Sequence, residues 1–136
     1  MKTTLKSFAL LLFFTFSSSC SNTADECLVC NEDPINLSRK VIQFNAEMSS
    51  TTVSTKGTNW KLVEIYYNNF LIDLSGIDPQ SKKFKIENPN FTFERKSSKD
   101  IYIEMSANYT GKKKKLIAIL QDGEYFGQIT VSQSVD

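Results

Sequence analysis

From residue 40 onward, apolar side chains recur at every second position in short runs, and nothing sustains the rhythm of an amphipathic helix. Ile42, Phe44 and Ala46 share one side of a first run, and residues 50–55 are rich in the β-branched types that suit a pleated surface. Trp60 and Leu62 share a face of the next, and Trp60 is expected at the centre of the core. Asn68-Asn69 reads as a tight turn into a strand over 70–74, because asparagine tolerates positive φ. Residues 75–83 read as a loop, and Lys56-Gly57 and Asn88-Pro89-Asn90 as turns, the last opening a strand over 91–95. Farther on, Ile101, Ile103 and Met105 alternate inward against Tyr102 and Glu104, residues 115–121 form an apolar run, and 124–133 alternate around Ile129 and Val131. Asp122-Gly123 joins the last two runs as a hairpin. Many short strands without helices predict an all-β chain folded as an antiparallel β-sandwich.

The first residues carry a different message. Lys2 and Lys6 precede an apolar stretch over 8–16, followed by Ser17-Ser18-Ser19-Cys20. A basic start, a short apolar middle and small residues form a secretory signal, and about nine apolar residues fall short of the roughly twenty that span a bilayer. The ending in Cys20 resembles a bacterial lipoprotein signal, with Ser17 in the relaxed position found in Bacteroidetes lipoproteins. This resemblance implies a signal peptide over 1–19, lipidation of Cys20, and a lipoprotein of the outer membrane facing the periplasm or the cell surface. Ordinary cleavage near Ser19 is the alternative. Residues 20–39 are polar and acidic and read as a flexible tether. Asp25 and Glu26 resemble a surface-export signal.

Cys27 and Cys30 form a C-x-x-C inside this tether. Asp25, Glu26, Glu32 and Asp33 surround it, and negative charge raises a thiol pKa, which argues against a redox site. A zinc site wants four ligands, and the chain has no second C-x-x-C and no histidine. A local disulfide or a free pair is the expectation, with intermolecular bridging left open.

Composition removes whole classes of function. Without histidine there is no Ser-His-Asp triad or Cys-His pair. Sixteen Lys+Arg against fifteen Asp+Glu leave a net charge of +1, unlike the basic balance of a nucleic-acid binder. The acids Glu64, Asp73, Asp78, Glu87, Glu94 and Asp100 are scattered over strand ends and loops rather than gathered for general acid–base work. No enzyme, no metal, no cofactor and no nucleic acid are expected.

What remains is binding. Tyr66, Tyr67, Asn68, Asn69 and Phe70 would offer aromatic faces and amides to a glycan at one hairpin tip, although alternation sends neighbours to opposite faces. Tyr109 and Tyr125-Phe126 lie near two other turns. Lys112 to Lys115 read as a solvated strand start that resists edge pairing. In the strand that follows, Leu116, Ala118 and Leu120 face one way and Ile117 and Ile119 the other, so both faces are apolar. A sandwich strand has one core face; Ile117 and Ile119 are therefore covered by residues 75–87 or form a protein-interaction patch.

Asn59-Trp60 opening a strand, the run Ile101 to Met105, the Asn108-Tyr109-Thr110-Gly111 turn, and a closing hairpin ending in Thr130-Val131-Ser132-Gln133 together resemble the BACON domain. That family is a small immunoglobulin-like sandwich of exported Bacteroidetes proteins. The resemblance covers residues 40–133, departs between 64 and 94, and assigns the domain to 40–134. It implies a role in binding, with carbohydrate or mucin the usual proposal, and supplies no ligand residues. Two functions follow: a lipid-anchored envelope module contacting glycan, mucin or host surface, or a structural or assembly lipoprotein joined to another envelope protein. Exposed, coplanar aromatics over 66–70 would favour the first; a bare apolar strand face would favour the second.

Overall fold

A computed structural model describes residues 32–136. Residues 1–19, expected as a signal peptide, and Cys20, Cys27 and Cys30 lie outside these residues. Within them the period-2 pattern builds nine strands: β1 (Val41–Phe44), β2 (Ser49–Ser54), β3 (Lys61–Tyr67), β4 (Phe70–Leu71), β5 (Phe84–Glu87), β6 (Phe91–Arg95), β7 (Asp100–Met105), β8 (Lys114–Asp122) and β9 (Tyr125–Gln133). They form a five-stranded sheet in the order β1-β9-β8-β3-β4 and a four-stranded sheet in the order β2-β7-β6-β5. Pairing is antiparallel except between β1 and β9, which run parallel. With β9-β8-β3 in one layer and β2-β7-β6 in the other, this is the strand arrangement of an immunoglobulin-like sandwich.

The inward sets anticipated from alternation make the core. Val53, Phe91, Phe93, Ile101, Ile103 and Met105 come from the four-stranded sheet; Leu62, Ile65, Leu116, Ala118, Leu120, Ile129 and Val131 come from the five-stranded sheet, and all are buried. Each of them larger than Ala118 contributes roughly 1.5–3 kcal/mol by leaving water. Trp60 is wholly buried just before β3, its indole N–H donating to Thr55 Oγ1 at 3.1 Å.

Arg95 ends β6 on the core side, continuing the Phe91, Phe93 alternation, and is also buried. Its guanidinium lies 3.4 Å from the centre of the Trp60 ring. It donates to the carbonyls of Thr58, Trp60, Ser81, Ser97 and Ser98. Burial pulls the group down to about 10, and the carbonyls and the ring face stand in for the missing counter-ion. The result is a clamp joining three loops at one end of the sandwich.

The sandwich starts earlier than the tether boundary at residue 39 implied. Ile35 and Leu37 are buried in the core, and Leu37 bridges to Thr55. Gly57 is required for close approach here, since a Cβ would stand 2.1 Å from the Pro34 carbonyl oxygen. Gly127 likewise leaves room for the Ile35 side chain. Two isolated apolar residues in a polar stretch carry no periodicity, which hid them from a pattern-based reading.

The strand expected over 70–74 stops at Leu71. Asp73 turns the chain away by accepting the Ser75 N–H and hydroxyl, both at 2.9 Å. Ile72, Leu74 and Ile77 then pack against the core, and the chain crosses to the other sheet. There Phe84 and Ile86 alternate inward in β5, a strand concealed in the sequence by its shortness and its charged neighbours. Residues 75–87 therefore close the margin between the sheets, with the Pro79 carbonyl accepting from Leu62 N–H at 3.2 Å.

Candidate functional site

Strand register writes the outward face of the five-stranded sheet row by row. Leu71 lies beside Tyr66, Tyr66 beside Ile117, Ile117 beside Thr130, and Thr130 beside Val41, a line across all five strands. The next row joins Glu64, Ile119 and Gln128; a third joins Lys61, Gln121 and Phe126. Cross-strand partners share a face, so these side chains form one surface. Its margins are open: Val41 is 65%, Leu71 60% and Phe126 58% exposed. Ile117 and Ile119 are half-buried among their neighbours.

Two hydrogen bonds order the polar members. The Tyr66 hydroxyl donates to Glu64 Oε2 at 2.9 Å, which raises the phenol pKa, and Gln128 Nε2 donates to Thr130 Oγ1 at 2.8 Å. A bulge in β3 between Leu62 and Glu64 inserts Val63. Val63, Glu64, Leu71, Ile72, Asp73 and Leu74 line a cavity of about 460 Å³ at this margin.

The hairpin tip does not assemble the expected aromatic platform. Tyr66 lies on the outward face, whereas Tyr67 turns toward the core, its ring 5.5 Å from that of Phe91. Burial raises the Tyr67 pKa, and its hydroxyl has no partner among the described residues. Phe70 is 77% exposed on the Tyr67 side, so the strand pleat separates it from Tyr66. Asn68 and Asn69 hold φ of 48° and 69° and make the turn; Asn68 Oδ1 also accepts Lys115 N–H at 2.9 Å, which makes it a structural brace.

The lysine run is exposed at Lys112, Lys113 and Lys115, while Lys114 is buried opposite Gln133. Phe126 was noted only as lying near a turn, and Gln121 and Gln128 were absent from the sequence-based set of candidates. The alternation around Ile129 and Val131 already placed Phe126, Gln128 and Thr130 outward; pairing with β8 and β3 was needed to bring Gln121, Ile119 and Lys61 beside them.

No protein-family model matches the chain, and no curated protein matches it. Among solved structures, a Bacteroides thetaiotaomicron protein determined by NMR superposes with a TM-score of 0.62 at 11% identity, covering 76% of this chain and 89% of the other. A Bacteroides ovatus GH5 xyloglucanase in complex with a XXXG heptasaccharide gives 0.47 at 18% identity, over 75% of this chain and 19% of the enzyme. The titin M4 domain gives 0.40 at 10% identity, over 75% of this chain and 91% of that domain. At such identity the first likeness concerns the fold alone. The strand order defines the class: an immunoglobulin-like β-sandwich.

Proposed function

We propose that the chain is a lipid-anchored binding module of the cell envelope, BACON-like in kind, which holds an envelope protein against the outward face of its five-stranded sheet. The observation that carries this reading is the row Leu71, Tyr66, Ile117, Thr130 and Val41, largely apolar, crossing the sheet from edge to edge. Aliphatic side chains lying side by side across a sheet face suit another protein better than a sugar, and the polar rim of Lys61, Glu64, Gln121 and Gln128 gives register and specificity to the contact. The lipoprotein-like ending in Cys20 supports anchoring at the membrane, and the acidic stretch after it supports export. Catalysis plays no part in this reading.

A photo-crosslinker at Gln128, beside the row, tests it in intact envelopes. One discrete crosslinked species that disappears in Ile117→Asp, with the variant still melting in one cooperative transition within about 8 °C of the wild type, is the expected result. Unchanged crosslinking in Ile117→Asp and Leu71→Asp overturns it. A carbohydrate reading keeps one specific support, the exposed Phe126 ring beside Gln121. A glycan and mucin screen separates the two: saturable binding lost in Phe126→Ala and retained in Ile117→Asp assigns the face to carbohydrate.

A further inference from the structure

β8 is the middle strand of the five-stranded sheet, and its two ends carry opposite charge. Lys112, Lys113, Lys114 and Lys115 open it, while Asp122 and Glu124 flank Gly123 at the hairpin that follows. Lys112, Lys113, Lys115 and Glu124 are exposed and Asp122 is half-buried. None of these five forms an ion pair among the described residues. Lys114 turns inward, buried opposite Gln133, and adds no charge to the outward face.

Between these ends β8 presents Lys115, Ile117, Ile119 and Gln121 outward. The two isoleucines stand on either side of Ala118. Lys115 and Gln121 lie at equal distances beyond them, and so do Lys112 and Glu124 farther out. The strand is therefore apolar at its centre and opposite in charge at matched positions about that centre. A surface of this kind fits a copy of itself turned end for end.

A two-fold axis in the plane of the face has two simple settings, and charge decides between them. Set along β8, the axis lays Lys115 on the partner's Lys115, lysine run on lysine run and acidic hairpin on acidic hairpin, an arrangement that like-charge repulsion disfavours. Set across β8 above Ala118, it runs the two copies of the strand antiparallel. Ile117 then meets the partner's Ile119, Tyr66 the partner's Glu64, Thr130 the partner's Gln128, and Lys115 the partner's Gln121, as the rows of cross-strand pairs dictate. Lys61 comes over the partner's Asn68. None of the charged groups on these rows, Lys61, Glu64 and Lys115, meets its own sign. The lysine run comes over the partner's acidic hairpin, and the hairpin over the partner's lysines. Charges at the margins are already engaged, Lys40 with Asp33 at 3.0 Å and Asp73 with the Ser75 hydroxyl at 2.9 Å.

We propose that the envelope protein held by this face is a second copy of the same chain, docked as an isologous dimer with the two β8 strands antiparallel and aligned within about 30°, as stacked sheets are. The inference rests on the reading above that this face docks a protein, and it narrows that reading to one partner. Five strands make a face about 24 Å wide and, from Lys115 to Gln121, about 20 Å long. Two such faces cover roughly 1,000 Å², the lower bound of a specific interface. The proposed lipid anchor holds both copies on one membrane and so raises their effective concentration. At the ends of β8 the opposed charges attract over the range that salt leaves them, about 10 Å at 0.1 M.

The test uses two full-length copies with different tags, co-expressed with the photo-crosslinker at Gln128 in each, and illuminated in intact envelopes. The expected result is a discrete species carrying both tags. Lys112→Glu/Lys113→Glu in both copies, or Glu124→Lys in both, lowers its yield about threefold or more, because like-charged ends then meet twice in every dimer. Pairing one copy of each kind brings opposite charges together again at both ends and restores the yield to within about twofold of the wild type, which also shows that both variants fold. A discrete species that joins one tag to a different protein overturns the second copy and leaves the envelope-protein reading standing. Absence of any discrete species overturns both. A two-tag species that ignores the charge variants, or that the mixed pair does not restore, overturns the antiparallel dimer.

Discussion

The two ends of the sandwich are closed by the same device with opposite chemistry. At the end where the chain enters, a charged guanidinium, Arg95, gathers five backbone carbonyls beneath the Trp60 ring. At the far end neutral amides, Asn108 and Gln133, gather carbonyls from three segments. The first closure buries its aromatic partner completely, whereas the second leaves Tyr109 in solvent. A buried charge must use all its donors on the fold, so the Arg95 end is committed to structure. A neutral amide costs less to bury and can leave one acceptor unpaired, as Gln133 Oε1 does among the described residues.

The largest expected effect lies at the charged end. Arg95→Met keeps volume and removes the donors of five carbonyls, with an expected loss of about 3 kcal/mol or more in denaturant unfolding. Arg95→Lys is expected to recover less than half of that loss, because an ammonium lacks the planar fork and stacks less well on Trp60. A loss below ~1 kcal/mol in Arg95→Met would break the contrast between the ends. Next comes the amide end, where Asn108→Ala should cost about 2 kcal/mol by the same measurement and loosen residues 106–113 to hydrogen exchange.

Smaller still is the stability effect on the outward face. Ile117→Asp should change stability by about 1 kcal/mol, because the side chain is only half-buried, while removing the crosslinked partner. The least effect is expected at Asp33. Asp33 binds Lys40 at 3.0 Å, and its Oδ1 accepts the N–H groups of Ile35 and Asn36. Partial burial pushes its carboxyl up, but the Asn36 N–H and Lys40 outweigh that and hold it below the ordinary 3.8. Since the folded state binds this proton less tightly than the unfolded state, the stabilisation is complete above the ordinary carboxylate range and fades as pH falls through the lower folded value. Asp33→Asn should flatten that part of the profile of unfolding free energy against pH, measured by denaturant, by less than ~1 kcal/mol.

Alternation identified most of the strands and nearly all of the core, because the strand period of two writes the inward set into the sequence wherever a run is long enough to show it. Ile101, Ile103 and Met105 are the clearest case. The same rule sets Tyr66 apart from Tyr67, so the split hairpin tip was legible too, and the aromatic platform over 66–70 failed for that reason. Ile117 and Ile119 were correctly read as the second apolar face of their strand, but their neighbours on that face come from strands remote in sequence. Ile35, Leu37 and β5 escaped because one or two apolar residues among polar ones have no period. Arg95 escaped because an arginine ending a strand reads as surface.

The sequence alone determined the strand alternation, the Asn68-Asn69 and Asp122-Gly123 turns, the buried tryptophan and the sandwich class, since each depends on residue type and short-range spacing. Only the tertiary structure decided which strands lie side by side, that Ile35 and Leu37 belong to the core, that 75–87 close a margin between the sheets, and that Asn108, Gln133, Met48 and Tyr109 meet at one end. Those outcomes depend on contacts between residues far apart in the chain, and such contacts are settled by packing and by the need of every buried carbonyl for a donor.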